Sequence, residues 1–434
     1  MLRSTLLCGV LLSVLVGCSG VVTEPDGGSD APDASAEVDA GSELDAGTSV
    51  DSGVTVDAGV DAGSTVADAG VDAGVRPILD AGPYDAGLFD AGTWAWTDGG
   101  GPAWRNGLAL NQWVEIPGTS GAGGAAIDAW GALAENKATA ELYIAASGGH
   151  SDSADNRVVS ISLMADAPAW VQRHASSTNT PVNVLYYPDG LPTSRHLYHH
   201  LHFLPALNVV LLGGCRYGYG GNTPTGPGMD AFSLTTNAWL PRYTFPDITP
   251  YNGYVIEIDG AGRAWTQSGN RFDPSTNRWS TPGSGPGLGR FPHATAPSRN
   301  LIFSLQFGDG QGYDLNLGVV ARKLDTTTGN SVAITFNPST ALTEFMAAQP
   351  TYAGMDYDAA NDRFLFTHHA ERGKVYVVTP NATTTWDLSV LTTTGMPTVT
   401  SGAGINKRFR YLPTLGGFVL LPSRSSNLYF LRTN

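Results

Sequence analysis

The sequence is poor in cysteine and in positive charge, and its apolar runs are short. Its 434 residues include 3 Cys, and 24 Lys and Arg stand against 39 Asp and Glu, for a formal net charge of −15. A shortage of basic residues excludes a basic nucleic-acid footprint, because counterion release at phosphates needs clustered Lys and Arg in surplus. With 54 Gly and 27 Pro, the composition also disfavours a helical bundle.

The first residues predict export. Arg3 precedes an apolar run, Leu6 to Val16, which is shorter than the roughly 20 residues that span a bilayer and is typical of a secretory signal. The run ends in Leu15-Val16-Gly17-Cys18, which resembles the lipobox of bacterial lipoproteins. The resemblance implies that residues 1–17 are removed and that Cys18 is lipidated. Because Ser19 stands where inner-membrane retention signals usually carry Asp, we expect an outer-membrane or cell-surface protein that meets the membrane only through its N-terminal lipid.

Residues 18–100 predict a disordered linker. Asp-Ala-Gly occurs nine times there, and residues 19–100 contain 17 of the acidic residues and a single basic one, Arg76. So few large apolar groups cannot offset the entropy of ordering, and repeated like charges extend the chain into an acidic stalk. Residues 101–434 contain 22 residues of each charge, so the body is neutral. After processing, the body keeps Cys215 alone, which excludes an intrachain disulfide and requires a sizeable apolar core.

The body, residues 101–434, is a repeat of short strands. One unit recurs six times: an apolar strand after a polar turn, a second strand after a variable loop, then a tight turn and a strand marked by Trp170, Trp239, Trp279 or Trp386. Ile334 stands at the Trp position of the fourth unit. The window Ala125–Glu135 has the best helical period. The spacing of about 55 residues matches four-stranded propeller blades.

The chain ends predict that the repeat closes into a ring. The last unit stops at Asn434 without its Trp strand, and Asn111-Gln112-Trp113-Val114 supplies that strand from the other end. The paired glycines Gly148-Gly149 and Gly213-Gly214, together with the Trp strand, resemble kelch and galactose-oxidase-like propellers. We therefore predict an all-β fold, a β-propeller of six four-stranded blades with seven as the alternative count, and a monomeric body.

The loops predict a binding face. In antiparallel blades the second-to-third and fourth-to-first connections emerge at one end, and here they are long and rich in His, Tyr and Arg. Aromatic rings suit sugars, and Arg suits carboxylate or sulfate, so acidic polysaccharide is the leading ligand. The predicted ligand-binding residues are Arg195, His196, Arg216, Tyr217, Tyr219, His293, Tyr352, His368 and Arg372. The alternative for each residue is that it cross-links neighbouring blades through hydrogen bonds to carbonyls.

The sequence also allows two alternative functions. Uronate β-elimination needs a cation, a base and an acid, and His150, Tyr251 or Tyr254, and Arg271 resemble in order and spacing the trio of ulvan-lyase-type propellers. The resemblance implies a polysaccharide lyase with these catalytic residues. The third hypothesis is a protein-interaction platform in the envelope.

The histidines and the cysteine of the body suggest a metal site. His200 and His202 share a strand face and predict a zinc-like site with Cys215, for which no fourth ligand is evident; the alternative is that the strand packs and hydrogen-bonds these histidines. In galactose oxidase the copper-site Cys comes before the Tyr-His pair, whereas here Tyr198-His199 precedes Cys215, which disfavours copper oxidation. The sequence contains no Gly-x-Ser-x-Gly, phosphate loop or His-Glu-x-x-His motif, so the commonest hydrolase and nucleotide signals are missing.

Overall fold

A computed structural model describes most of the body of the protein. The described residues are 101–128, 130–148, 153–182, 184–215, 227–246, 255–285, 287–288, 292–368, 374–399 and 404–434. The predicted signal peptide, Cys18 and the acidic stalk lie outside these residues.

The regular structure of the described residues is mostly β-strand, arranged as six four-stranded units that we number in chain order. Strand β1 (Trp113–Ile116) comes first and belongs to unit 6. The other strands are β2 (Ala134–Asn136), β3 (Glu141–Ala145), β4 (Val158–Ser162) and β5 (Val171–His174) in unit 1; β6 (Leu201–Leu204), β7 (Val209–Cys215), β8 (Pro227–Ser233) and β9 (Ala238–Trp239) in unit 2; β10 (Val255–Ile258), β11 (Ala264–Thr266), β12 (Arg271–Asp273) and β13 (Arg278–Ser280) in unit 3; β14 (His293–Ala296), β15 (Leu301–Phe307), β16 (Val319–Asp325) and β17 (Ser331–Phe336) in unit 4; β18 (Gly354–Asp358), β19 (Arg363–Thr367), β20 (Lys374–Thr379) and β21 (Thr385–Thr392) in unit 5; and β22 (Phe409–Leu412), β23 (Gly417–Leu420) and β24 (Leu428–Arg432) in unit 6. Every unit is antiparallel.

The units form a closed series. The first strand of each unit contacts the first strand of the next, from β2 through β6, β10, β14 and β18 to β22. The series returns to its start through Arg410 of β22, whose Nη2 donates to Glu135 Oε1 of β2 at 2.6 Å. The N-terminal strand β1 pairs with β24, with Trp113 opposite Leu431 and Ile116 opposite Leu428, so the predicted closure is confirmed. This strand order is consistent with a β-propeller.

The hairpins between first and second strands share one turn in three units. Pro205–Leu207, Pro297–Arg299 and Pro413–Leu415 form single 3₁₀ turns that each begin with proline. Each ends on a left-handed residue, Asn208, Asn300 or Gly416, the residue types that adopt this backbone most easily. The other 3₁₀ turns of the described residues are at Ala103–Arg105, Ser120–Gly124, Leu315–Leu317 and Asn406–Arg408.

Units 4 and 5 are joined along their outer strands. β17 pairs in parallel with β21, with Phe336 opposite Trp386, so eight strands form one sheet. Trp386 packs 4.9 Å from Phe303 of unit 4, between ring centroids. Unit 4 has Ile334 at its own Trp position, and Trp386 of unit 5 therefore packs against unit 4 instead.

The helical expectation for Ala125–Glu135 is wrong. The described residues of that segment are irregular before β2, and glycines at 121, 123 and 124 adopt positive φ just ahead of it. The α-helix within the described residues is α1 (Thr340–Ala348), which Ser339 caps by accepting from the Leu342 N–H at 3.0 Å. Its nine residues are too few for a clear period, and it ends just before Pro350.

Apolar layers between the units form the core. The largest cluster lies between units 4 and 5 and includes Phe303, Phe364 and Trp386. The smallest joins units 3 and 4 through Ile256, Trp265, Leu288, Ile302 and Leu324. Across the described part of the chain, helices long and apolar enough to span a bilayer are absent.

Candidate functional site

The second-to-third and fourth-to-first connections meet at one end of the ring, which we call the loop face. Arg195, in the connection to β6, donates its N–H to Ala146 O at the end of β3 at 2.7 Å, and its carbonyl accepts from Gly148 N at 3.2 Å. Tyr352, in the connection to β18, donates its N–H to Gly310 O, between β15 and β16, at 2.9 Å. Backbone hydrogen bonds therefore tie the two sets of loops together.

Four rings form an aromatic platform at the axial end of this face: Trp130, His196, Tyr198 and Tyr352. The His196 ring lies 4.6 Å from Trp130 and 3.9 Å from Tyr198, between centroids. Tyr198 and Tyr352 stack 6.1 Å apart with an interplanar angle of 4°. These residues come from loops of units 1, 2 and 5, so the platform spans neighbouring and non-neighbouring units. Trp130 and Tyr352 are half-buried, while His196 and Tyr198 are buried beneath.

Unusual backbone conformations hold the platform. Trp130, Tyr198 and Tyr352 have φ of 52°, 47° and 49°, in the left-handed region that bulky residues rarely occupy. Trp130 O accepts from Tyr198 N at 2.7 Å, and Tyr352 O accepts from Ile405 N at 2.8 Å. Strained backbone of this kind persists where its surroundings fix it, and it concentrates at functional sites.

Beneath the platform lies an axial charge cluster of six residues: Glu135, Lys137, Glu257, Asp356, Lys407 and Arg410. Asp356 accepts from Lys137 Nζ at 3.0 Å and lies 3.3 Å from Arg410 Nη2. Glu257 Oε1 lies 3.7 Å from both Lys407 Nζ and Arg410 Nη1. Arg410 is on unit 6 and Glu257 on unit 3, so these contacts cross the ring. Three acids balance three bases, and only Lys137 is appreciably exposed.

Burial shifts the pKa values in this cluster. It raises the pKa of Glu257, against the effect of Lys407, and it lowers the pKa of Lys407 to about 8. Burial also acts to raise the pKa of Asp356, but Arg410 and Lys137 outweigh it, so that pKa is lowered. Asp356 is therefore a carboxylate and Arg410 a cation at neutral pH.

The cluster is linked to the platform through Lys407. Its N–H donates to Tyr198 O at 3.4 Å, and its carbonyl accepts from Leu133 N at 3.1 Å, three residues after Trp130. Its ammonium contacts His202 Nδ1. The base of the binding face and the ionic core of the ring are thus one connected structure.

His200 and His202 are both buried. His202 lies on the first strand of unit 2, and His200 lies in the loop before it. Both imidazoles hydrogen-bond Val255 O, through His200 Nδ1 at 2.9 Å and His202 Nε2 at 3.1 Å. Burial lowers the pKa of His200 to about 4 and that of His202 well below its usual range, which suits neutral donors. Among the described side chains, groups of three or more potential metal ligands are not found, and the Cys215 side chain lies outside them. The zinc site stays a prediction.

Arg195 lies beside the platform in a buried ion pair. Its Nη2 donates to Asp230 Oδ2, and Tyr186 Oη donates to the other oxygen of Asp230 at 2.9 Å. Arg195 is 2% exposed, and its Nε and Nη1 find no hydrogen-bond partner among the described residues. Charge at this position is largely neutralised within the protein.

Of the remaining predicted site residues, the structure describes His368, His293 and Arg271. His368 Nε2 accepts from Thr351 N at 3.1 Å, next to Tyr352, and buried His293 lies 6.1 Å from His199, between ring centroids. Arg271 begins β12 at the loop face with its guanidinium 5.6 Å from the Trp265 ring centroid. The predicted residues outside the described ones are His150, Arg216, Tyr217, Tyr219, Tyr251, Tyr254 and Arg372.

Sequence reasoning missed part of the site, including Trp130 and Tyr198. Tyr198 lies four residues before His202, and Tyr352 lies four residues before Asp356. His202 and Asp356 are the side chains through which the first strands of units 2 and 5 contact the axial charge cluster. Aligning the units on those axial residues would have exposed the pattern. The positive φ angles that orient the two tyrosines could not be predicted, because no residue type at these positions favours a left-handed backbone.

Comparisons with known proteins return structural likenesses alone. No family model matches the chain, and no curated protein matches it. Among solved structures the chain is similar to YjhT (12% identity, TM-score 0.44, covering 73% of this chain and 94% of that one). It is also similar to a chain of the mitotic checkpoint complex (11%, 0.35, 78% and 97%) and to the GH74 xyloglucanase from Xanthomonas campestris (12%, 0.34, 67% and 55%). At these TM-scores the likenesses carry no argument, and the fold rests on the strand order and register above.

Proposed function

We propose that this chain is an exported, lipid-anchored, six-bladed kelch-like propeller that recognises acidic extracellular polysaccharide at its loop face. The observation that carries the proposal is the aromatic platform. Trp130 and Tyr352 offer half-buried rings at the axial end of the face, and exposed Tyr313 adjoins Tyr352. Rings that are apolar on their faces and polar at their edges suit the flat, hydroxyl-fringed surface of a sugar.

The platform is rigid before any ligand arrives. Its rings pack on one another, its backbone is hydrogen-bonded at Trp130, Tyr198 and Tyr352, and the charge cluster lies beneath it. A preformed surface spends little free energy on ordering side chains, which favours affinity for a flexible polymer. The acidic class rests on the arginine content of the loop-face connections, of which Arg271 is half-buried, whereas Arg195 is already paired with Asp230.

Calorimetric titration of the full-length protein tests the proposal. Pectate, alginate, ulvan and glycosaminoglycans are compared with neutral dextran. We expect binding of at least one acidic glycan and none of dextran. Tyr352→Ala should weaken that binding about tenfold, equivalent to about 1.4 kcal/mol. The matched control is Tyr429→Ala, which removes a partly exposed tyrosine from the outer part of unit 6.

The outcomes are separable. Equal affinities for Tyr352→Ala and Tyr429→Ala, with both variants folded by circular dichroism, would place recognition elsewhere. Binding of neither glycan class would refute the proposal. Release of an unsaturated uronate product, followed by its ultraviolet absorbance, would favour the lyase alternative, since Arg271 lies at this same face.

A further inference from the structure

A second group of aromatic and basic side chains lies on the loop face, outside the platform. This rim cluster consists of Tyr186, Arg242 and Tyr243. Tyr186 belongs to the connection between β5 and β6, and the other two belong to the connection between β9 and β10. Both are fourth-to-first connections, so the rim cluster shares the face of the platform.

Arg242 is held in place, and the described part of the chain contains no acidic side chain that neutralises it. Its guanidinium lies 4.1 Å from the centroid of the Tyr186 ring, and its Nε donates to Gly190 O at 3.4 Å. Ion pairs to this guanidinium are absent among the described residues, and the side chain is exposed. Asp189, in the same turn as Gly190, instead accepts from the Leu191 N–H at 3.1 Å. A stacked guanidinium with its outer N–H groups in solvent can bind a planar or tetrahedral oxyanion.

Tyr243 adds a ring to this group. Its ring lies 6.4 Å from Tyr186 with an interplanar angle of 62°, it is 54% exposed, and its φ of 61° is left-handed, as in the platform residues. An exposed, backbone-constrained aromatic residue beside an exposed guanidinium offers a stacking surface and a charge together.

The rim cluster is connected to the platform by buried polar contacts. Tyr186 Oη binds Asp230, Asp230 pairs with Arg195, and Arg195 is followed in the chain by His196, whose ring packs on Trp130. The two aromatic groups therefore have fixed relative positions on one rigid unit. Contacts therefore run from the rim cluster to the platform, and Tyr352 of the platform contacts Tyr313.

We propose that the rim cluster is a second subsite, at which Arg242 binds the carboxylate or sulfate of a sugar several units along the same chain that occupies the platform. This inference rests on the proposed function and adds the requirement that the ligand be an extended acidic polysaccharide. Two linked contacts on a rigid surface raise affinity because the second binds at a high effective concentration. Affinity should therefore rise steeply once an oligosaccharide is long enough to reach both groups.

The test is calorimetry with oligosaccharides of increasing length on the full-length protein. Oligogalacturonates probe carboxylate, and carrageenan oligosaccharides probe sulfate. We expect Arg242→Gln to weaken the longest ligand that binds about tenfold and to leave the disaccharide within about twofold of wild type. Arg278→Gln is the matched control, since Arg278 is an exposed arginine of β13. Tyr352→Ala should weaken long and short ligands alike.

Each result is decisive. An affinity that does not change with length, or Arg242→Gln equal to Arg278→Gln, overturns the second subsite and leaves the proposed function intact if Tyr352→Ala still weakens binding. Sensitivity to Arg242→Gln without sensitivity to Tyr352→Ala supports the rim cluster and contradicts the platform. If neither probe series binds wild type, the second subsite is overturned, and the proposed function stands only where another acidic glycan of the earlier titrations binds. Whichever series shows the length step identifies the anion.

Discussion

Replacing Asp356 with Asn tests the axial charge cluster. Asp356 is fully buried, accepts N–H groups from Tyr357 and Tyr411 at 2.8 Å each, and pairs with Lys137 and Arg410. The variant keeps the shape and one carbonyl acceptor but leaves the cluster with three bases and two acids. Arg410 keeps its ion pair with Glu135, at 2.6 Å, but loses the one with Asp356.

The expected loss is about 3 kcal/mol of unfolding free energy. Breaking a buried ion pair typically costs about 3–5 kcal/mol because it strands a charge away from water. We take the lower end, since Lys137 is 26% exposed and can regain hydration. The unfolding entropy of roughly 330 residues, at about 2.1 cal/mol/K each, is about 0.7 kcal/mol/K, so Tm should fall by about 4 °C.

Scanning calorimetry of the full-length protein measures this shift. Asp387→Asn is the control, because Asp387 is exposed and accepts a single hydrogen bond from Asn337 at 2.7 Å. Adding Lys137→Met to Asp356→Asn restores the balance of charge and should recover part of the loss. A Tm within about 1 °C of the Asp387→Asn value would refute the view that this cluster holds the ring together.

The free energy of unfolding should also fall with acidification. Burial lowers the folded-state pKa of His199, His200 and His202 below the unfolded value of about 6.5. As the pH falls, the unfolded chain therefore takes up protons that the folded chain does not, and this favours unfolding. Between about pH 6.5 and 5.5 this amounts to about 1 kcal/mol per histidine, less an opposing contribution from Glu257, whose pKa is raised. Urea titrations should show that the unfolding free energy of His202→Gln depends less steeply on pH than that of the wild type. Gly404→Ala should weaken glycan binding, because a Cβ there would come within 2.2 Å of Tyr352 Cβ, whereas Gly107→Ala, at a similar φ but in open space, should leave binding unchanged. Equal glycan affinities for the two alanine variants would show that Tyr352 does not take part in binding.

Much of the fold was readable from local patterns. The strands Glu141–Ala145, Lys374–Thr379 and Gly417–Leu420 are almost wholly buried, so each leaves a short continuous apolar run between polar turns in the sequence. Closure by β1 was also predictable, since a unit that lacks one strand needs it from the other chain end. The parallel join of β17 to β21 was not, because it depends on how two whole units approach each other.

The site was less predictable than the fold. The sequence alone determined that the reactive side chains sit in two sets of connections, since antiparallel order assigns each connection to an end. It did not determine that Arg195 and His196 are buried while Arg242 is exposed, because burial depends on packing between loops that are distant in the chain. Only the tertiary structure set six charges against one another across the axis and stacked Tyr198 on Tyr352. Contacts of that range arise when the ring closes, and no local pattern of residues encodes them.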